Sequence, residues 1–115
     1  MIVEERIYKI RNGRMARYLQ LVRDEGLPIQ QPILGHLLGY FTTEIGTLST
    51  VVHLWGYADL QDRTLRRQRL AADARWQTFV PKLAELIEQA DNRILLPTDF
   101  SPLRTLPPAA MLPAE

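Results

Sequence analysis

The sequence predicts an α+β fold with its elements in the order β-α-β-β-α-β, and three observations predict it. Short runs of β-branched and aromatic residues alternate with segments whose apolar residues recur at three and four. Turn and cap residues, among them Asn12-Gly13, Gly26 and Asp59, fall between those segments. The two middle runs, LLGYFTT (37–43) and LSTVVHLWGY (48–57), are parted only by a short stretch holding Gly46, as in a hairpin. That order is the ferredoxin-like arrangement, one antiparallel sheet with helices on one side.

Residues 2–10, IVEERIYKI, mix β-branched and aromatic side chains with charges and read as the first strand. Asn12-Gly13 can close a hairpin, but Met15, Tyr18, Leu19 and Val22 follow at helical spacing. The pair therefore leads into a helix, which the sequence ends at Gly26 with Pro28 just beyond. Residues 27–35, LPIQQPILG, read as an irregular or short helical link. After the hairpin, Asp59 reads as an N-cap with Asp62 favourable three residues on, and a helix runs to about Ala72. Trp76, Phe79, Val80, Leu83, Leu86, Ile87 and Ala90 form one apolar stripe, in which Pro81 predicts a kink or restart. RILL (93–96) reads as a short last strand. Residues 1–100 are thus expected to form the domain, and 101–115, with four prolines, an irregular tail.

With 115 residues the chain fits one domain that can bury a core without staples. It has no cysteine, which excludes disulfides, thiolate metal sites and cysteine nucleophiles. A net charge of +1 is too small to argue for nucleic acid. No apolar run approaches the ~20 residues of a membrane span, and the N-terminus lacks the pattern of a signal peptide. The expectation is a soluble, cytoplasmic protein without cofactor or metal. Gly-rich phosphate loops, nucleophile elbows and Walker motifs are missing from the sequence.

The third strand places Val51, His53, Trp55 and Tyr57 on one face and Val52, Leu54 and Gly56 on the other. Neither set suits water, and helices can cover only one of them. Leaving the other wet forgoes several kcal/mol at about 25 cal/mol per Å², so a second copy of the sheet, in a homodimer, is expected to cover it.

HLWGYADLQDRTLRRQRLAADARWQTF (53–79) closely resembles the signature stretch of NIPSNAP family proteins, in which an apolar strand ending in tryptophan and tyrosine leads into an arginine-rich helix. VEERIYKI resembles the family's first strand, with Glu4, Arg6 and Tyr8 in matching places, and NRILLPTDFSPL (92–103) its closing strand and turn. Gly56 departs from the pattern, where a bulkier residue or a proline is expected. The resemblance implies a dimeric α+β barrel of two ferredoxin-like units. Similar barrels include cofactor-free monooxygenases, isomerases, dehydratases and heme enzymes, so the fold does not fix the function.

His53 is the first candidate for chemistry, as a general base or as a hydrogen-bonding partner of a ligand; the competing reading is a buried, satisfied core imidazole. His36 is expected to face solvent. Arg6, with Glu4 and Tyr8 on one strand face, can hold a carboxylate or enolate, or simply pair with Glu4. Arg63, Arg66 and Arg67 can bind an anion or line a solvated helix face, with Arg63 the best placed to turn inward. Tyr40, Trp55, Tyr57 and Trp76 can line an apolar pocket between sheet and helices, or be core. Two functions follow: a dimer that binds an apolar or mildly anionic small molecule, with or without cofactor-free chemistry on it, and a dimeric scaffold that binds other proteins.

Overall fold

The structure, a computed structural model, describes residues 1–108; the remainder of the expected tail, 109–115, lies outside the described residues. Strand β1 spans Ile2–Ile10, followed by helix α1 (Met15–Leu21), a π-helical turn (Val22–Gly26) and helix α2 (Leu27–Leu34). Strands β2 (His36–Thr42) and β3 (Thr50–Tyr57) form the hairpin; helices α3 (Leu60–Ala71) and α4 (Ala74–Ala84) and strand β4 (Ile87–Leu95) complete the chain. The sheet order is β2-β3-β1-β4, antiparallel throughout, so the ferredoxin-like arrangement holds.

Asp59 caps α3 as expected: its side chain accepts from the Asp62 N–H at 2.7 Å, and Asp62 in turn accepts from the Ala58 N–H at 2.9 Å. Two donors at the helix start, which would otherwise lack partners, are thereby satisfied.

Three boundaries differ from the sequence expectation. The first helical region does not stop at Gly26. Gly26 is helical, with φ −71°, and the chain passes through the π turn, where the Leu27 N–H reaches Val22 O, into α2. Pro28 sits in the first turn of α2, where its missing N–H costs little. The terminating glycine is Gly35, at φ 90°, whose N–H bonds to Gln31 O at 2.8 Å. Gly26 has a packing role instead: a Cβ there would lie 3.0 Å from Phe79 Cζ. Pro81 lies inside α4, and the helical break falls earlier, at Ala72–Asp73, where the Asp73 side chain caps Arg75 and Trp76. The last strand has nine residues rather than four. Leu86, Ile87 and Ala90 leave the helix, and the polar IEQADNR run pairs along β1 as an edge strand.

The inward face of the sheet carries Ile2, Glu4, Arg6, Tyr8 and Ile10 from β1 beside Tyr57, Trp55, His53 and Val51 from β3. Tyr18, Leu21, Val22, Leu34, Leu70 and Phe79 close over it from the helices. Among the described residues no helix lies on the outward face. Ile7, Val52 and Leu54 lie there half-buried, and Phe41 is 55% exposed. The chain after β4 covers one end of this face. Leu106 packs against Gly56, where an added Cβ would come within 2.8 Å of Leu106 Cδ2, and His36 Nδ1 lies 3.0 Å from Pro107 O. This bond corrects the solvent-facing expectation for His36, and it gives Gly56 a reason: the strand there must leave room for the returning chain.

Candidate functional site

The register brings Arg6 directly opposite His53, with Tyr40 on His53's other flank. Tyr40 stacks on the imidazole (centroids 4.5 Å apart, planes at 16°), and Tyr8 meets it edge-on at 4.9 Å. The indole Nε1–H of Trp55, two residues along the same face of β3, donates to His53 Nδ1 at 2.8 Å. His53 Nε2 is buried and has no hydrogen-bond partner among the described residues. Burial, then the charges of Arg6 and Arg67, outweigh the opposing pull of Glu4 and lower the His53 pKa to about 3. The imidazole is therefore neutral near pH 7 and only weakly basic, with Nδ1 engaged by Trp55, a state suited to a hydrogen-bonding partner.

Glu4 organises the arginines. Its side chain is wholly buried, and its Oε2 accepts from Arg63 Nη2 at 2.7 Å, Asn92 Nδ2 at 2.8 Å and Arg6 Nη1 at 3.1 Å. Burial raises its pKa, but the hydrogen bonds from Arg63 and Asn92 and the charges of Arg6 and Arg63 more than reverse this and hold it at about 2. Arg63 does turn inward, as its position at the helix start suggested, but to reach Glu4. Arg66 pairs with Asp62 at 2.8 Å and donates to Ile33 O. Arg6 also donates from Nε to the Tyr8 hydroxyl at 2.9 Å.

A cavity of about 50 Å³ lies between sheet and helices, bordered by His53, Arg6, Tyr8 and Tyr40 from the strands and by Tyr18, Val22, Gln30, Arg67, Trp76 and Leu83 from the helices. At about 10–15 Å³ per water it has room for a few waters or for the polar head of a small molecule. Five of the expected residues, His53, Arg6, Tyr8, Tyr40 and Trp76, come together here. Trp55 stands behind His53, and Tyr57 and Arg63 are packed nearby without bordering the cavity; burial raises the Tyr57 phenol pKa.

Sequence reasoning missed Tyr18 and Gln30, and it named Arg67 only within the group Arg63, Arg66 and Arg67, as an anion-binding or solvated helix face. Tyr18 hydrogen-bonds its hydroxyl to that of Tyr40, and burial raises the pKa of both. Arg67 lies one helical turn beyond Arg63, so the inward turn of one carried a signal for the other. The π turn delivers Val22 to the cavity wall, and such turns recur at functional sites.

A larger groove of about 390 Å³ lies between Glu25, Ile29, Phe79 and Lys82. It opens to solvent, and its charges are engaged, Lys82 with Glu25 at 2.8 Å and Arg75 with Asp73 at 2.9 Å. Among the described residues no three His, Cys, Asp or Glu side chains are placed to hold a metal ion, and no helix is long and apolar enough to cross a membrane.

The described geometry has close counterparts. A NIPSNAP family protein from Agrobacterium tumefaciens is 67% identical, covers 90% of this chain and 98% of its own, and superposes with a TM-score of 0.89. A NIPSNAP-like domain protein from Burkholderia xenovorans is 50% identical over 96% of this chain and 94% of its own, with a TM-score of 0.89. An antibiotic biosynthesis monooxygenase shares the fold alone, at 16% identity and a TM-score of 0.53, covering 83% of this chain and 94% of that one. Among curated relatives, NipSnap homolog 2 of Mus musculus is 32% identical over 90% of this chain, which spans about a third of that protein's length (36%). The NIPSNAP family model matches residues 3–102. The chain belongs to the NIPSNAP family.

Proposed function

We propose that the chain binds an apolar or mildly anionic small molecule in the cavity between its sheet and its helices, as one half of a homodimeric α+β barrel. One observation carries the binding reading: a buried imidazole nitrogen without a partner, in a residue that borders a cavity walled by Tyr8, Tyr40 and Trp76. Buried polar atoms are nearly always satisfied, so an orphan beside a cavity points to a missing ligand or water. The aromatic walls supply apolar contact and Arg6 and Arg67 supply positive charge. A body larger than the cavity requires the helical side chains to shift.

The dimer is supported by the outward face, where Ile7, Val52, Leu54 and Phe41 form a partly exposed apolar patch beside the place near Gly56 that Leu106 of the returning chain covers. A second copy of the same face matches it in chemistry and in strand geometry.

The binding reading is tested by thermal melts against a panel of aromatic and quinone-like compounds. A ligand at a hundred times its dissociation constant stabilises by about 2.7 kcal/mol, a shift of several degrees. The shift is expected with the wild-type chain and lost in His53→Ala and His53→Gln. Flat melts across the panel, or equal shifts in the variants, overturn it and favour a scaffold that binds other proteins.

A further inference from the structure

We propose that Trp55 fixes His53 as a permanent hydrogen-bond donor, and that the cavity takes the negatively charged oxygen of a carboxylate or enolate, held between the imidazole Nε2–H and the Arg67 guanidinium. This rests on the small-molecule reading above and names the ligand class for the same site.

The tautomer follows from one contact. An indole N–H can only donate, and that of Trp55 points at His53 Nδ1 from 2.8 Å. Nδ1 must therefore present its lone pair, and the single proton of a neutral imidazole resides on Nε2. That nitrogen is the buried one without a partner. His53 thus offers the cavity a donor whose direction is set by Trp55.

The other polar groups of the cavity offer donors as well, and Gln30 adds both an amide N–H and a carbonyl oxygen. The Tyr8 hydroxyl accepts from Arg6 Nε and still has its own hydrogen to donate. Tyr18 and Tyr40 share one hydrogen bond between two hydroxyls, which leaves one hydroxyl hydrogen over. Arg6 is held by Glu4. Arg67 has no carboxylate partner among the described residues, yet it borders the cavity half-buried. The orphaned acceptor nearby, Glu4 Oε1, belongs to a residue that does not border the cavity. A cation meets only neutral acceptors here, the Gln30 carbonyl and hydroxyl lone pairs, beside the arginine charges, whereas an oxyanion meets several donors and a positive charge without a carboxylate partner among the described residues.

The same surroundings keep a second proton off the imidazole. Glu4, Arg6 and Tyr8 face it from β1, Tyr40 from β2, Tyr18 from α1 and Arg67 from α3, while α4 contributes the uncharged Trp76 and Leu83. The two arginines oppose protonation, and the carboxylate that favours it is already engaged by three donors. His53 can therefore stabilise charge on a ligand oxygen but does not draw a proton from the ligand. Trp55, which acts through His53, is a positioning residue.

Nitrogen NMR of the full chain with labelled histidine tests the first half without any ligand. The expected spectrum shows Nδ1 unprotonated and Nε2 protonated from pH 5 to 9, and Trp55→Phe turns it into a tautomer mixture. A proton on Nδ1, or titration within that range, overturns the proposal; if the Trp55 variant does not fold, the wild-type spectrum decides. The second half is tested by adding acetate or benzoate, with benzamide as the neutral probe and benzylamine as the cationic one. The carboxylates are expected to move the Nε2–H resonance and to lose about ten- to a hundredfold in affinity in Arg67→Ala. Benzamide or benzylamine binding as tightly at that nitrogen, or unchanged carboxylate affinity in Arg67→Ala, overturns the oxyanion proposal while the small-molecule reading stands. If none of the probes moves the resonance, both fall.

Discussion

Replacing Glu4 by glutamine should cost this fold about 3 kcal/mol at neutral pH, and the structure gives the reason. The side chain is wholly buried and serves Arg63, Asn92 and Arg6 through one oxygen. Its pKa drops from 4.5 to about 2. At about 1.4 kcal/mol per pH unit, that drop corresponds to about 3 kcal/mol of stability that the ionised form contributes and the protonated form does not. The sign follows from the direction: a carboxylate held low stabilises fully above pH 4.5, and its contribution disappears as the pH falls towards 2. Glutamine keeps the shape but leaves two arginines without their counter-charge, the costly way to break a buried pair. The assay is urea denaturation of wild type and Glu4→Gln at fixed protein concentration, from pH 7 to pH 2.5. Asp62 and Asp73 also have lowered pKa values, so the informative quantity is the difference between the two curves. That difference should be about 3 kcal/mol at pH 7 and close between pH 4.5 and 2. A constant difference, or a variant within 0.5 kcal/mol of wild type at pH 7 (about the scatter of surface substitutions), would refute the reasoning.

Three further outcomes follow from the same structure. His53, held at about 3 against an ordinary 6.5, takes up its proton on unfolding, so stability falls as the pH drops from 6.5 towards 3. In His53→Gln the slope between pH 6.5 and 5, above the Glu4 window, should flatten, as read from melts at half-unit pH steps. Leu54→Glu places a charge in the middle of the outward apolar patch; sedimentation velocity should give twice 13.3 kDa for the wild type and 13.3 kDa for the variant, and a wild-type monomer at micromolar concentration would contradict the dimer. Gly26→Ala pushes a methyl to 3.0 Å from Phe79 Cζ and should cost about 1–3 kcal/mol in denaturant, against the small gain that alanine gives an unobstructed helix.

The sequence carried the strand order, the α3 cap and the pairing of faces on β3, because those rest on local rules: period-two alternation, aspartate at a helix start, and a glycine turn between apolar runs. It did not carry the length of β4. The run IEQADNR is polar, and only the backbone ladder to β1 makes it a strand. It also missed the passage of the first helix through Gly26, since glycine followed by proline reads as a stop unless Phe79 is known to press against it. Within the candidate site, His53, Arg6, Tyr8 and Tyr40 were visible as a row on neighbouring strands. Tyr18 was not, and Arg67 was only one of three candidate arginines, because helix spacing alone does not say which arginine of RTLRR faces inward or which tyrosine reaches across to β2. The fixed tautomer of His53 required the Trp55 contact, which a two-residue spacing permits but does not establish.

The chain has two tryptophans, one behind His53 and one on the cavity wall, so its own fluorescence reports on the space between them. Titration with benzoate should produce a saturable change in emission that largely disappears in Trp76→Phe, because the ligand enters beside that indole. Emission that stays constant up to millimolar benzoate, or a change that survives intact in Trp76→Phe, would contradict a binding site between the sheet and the helices.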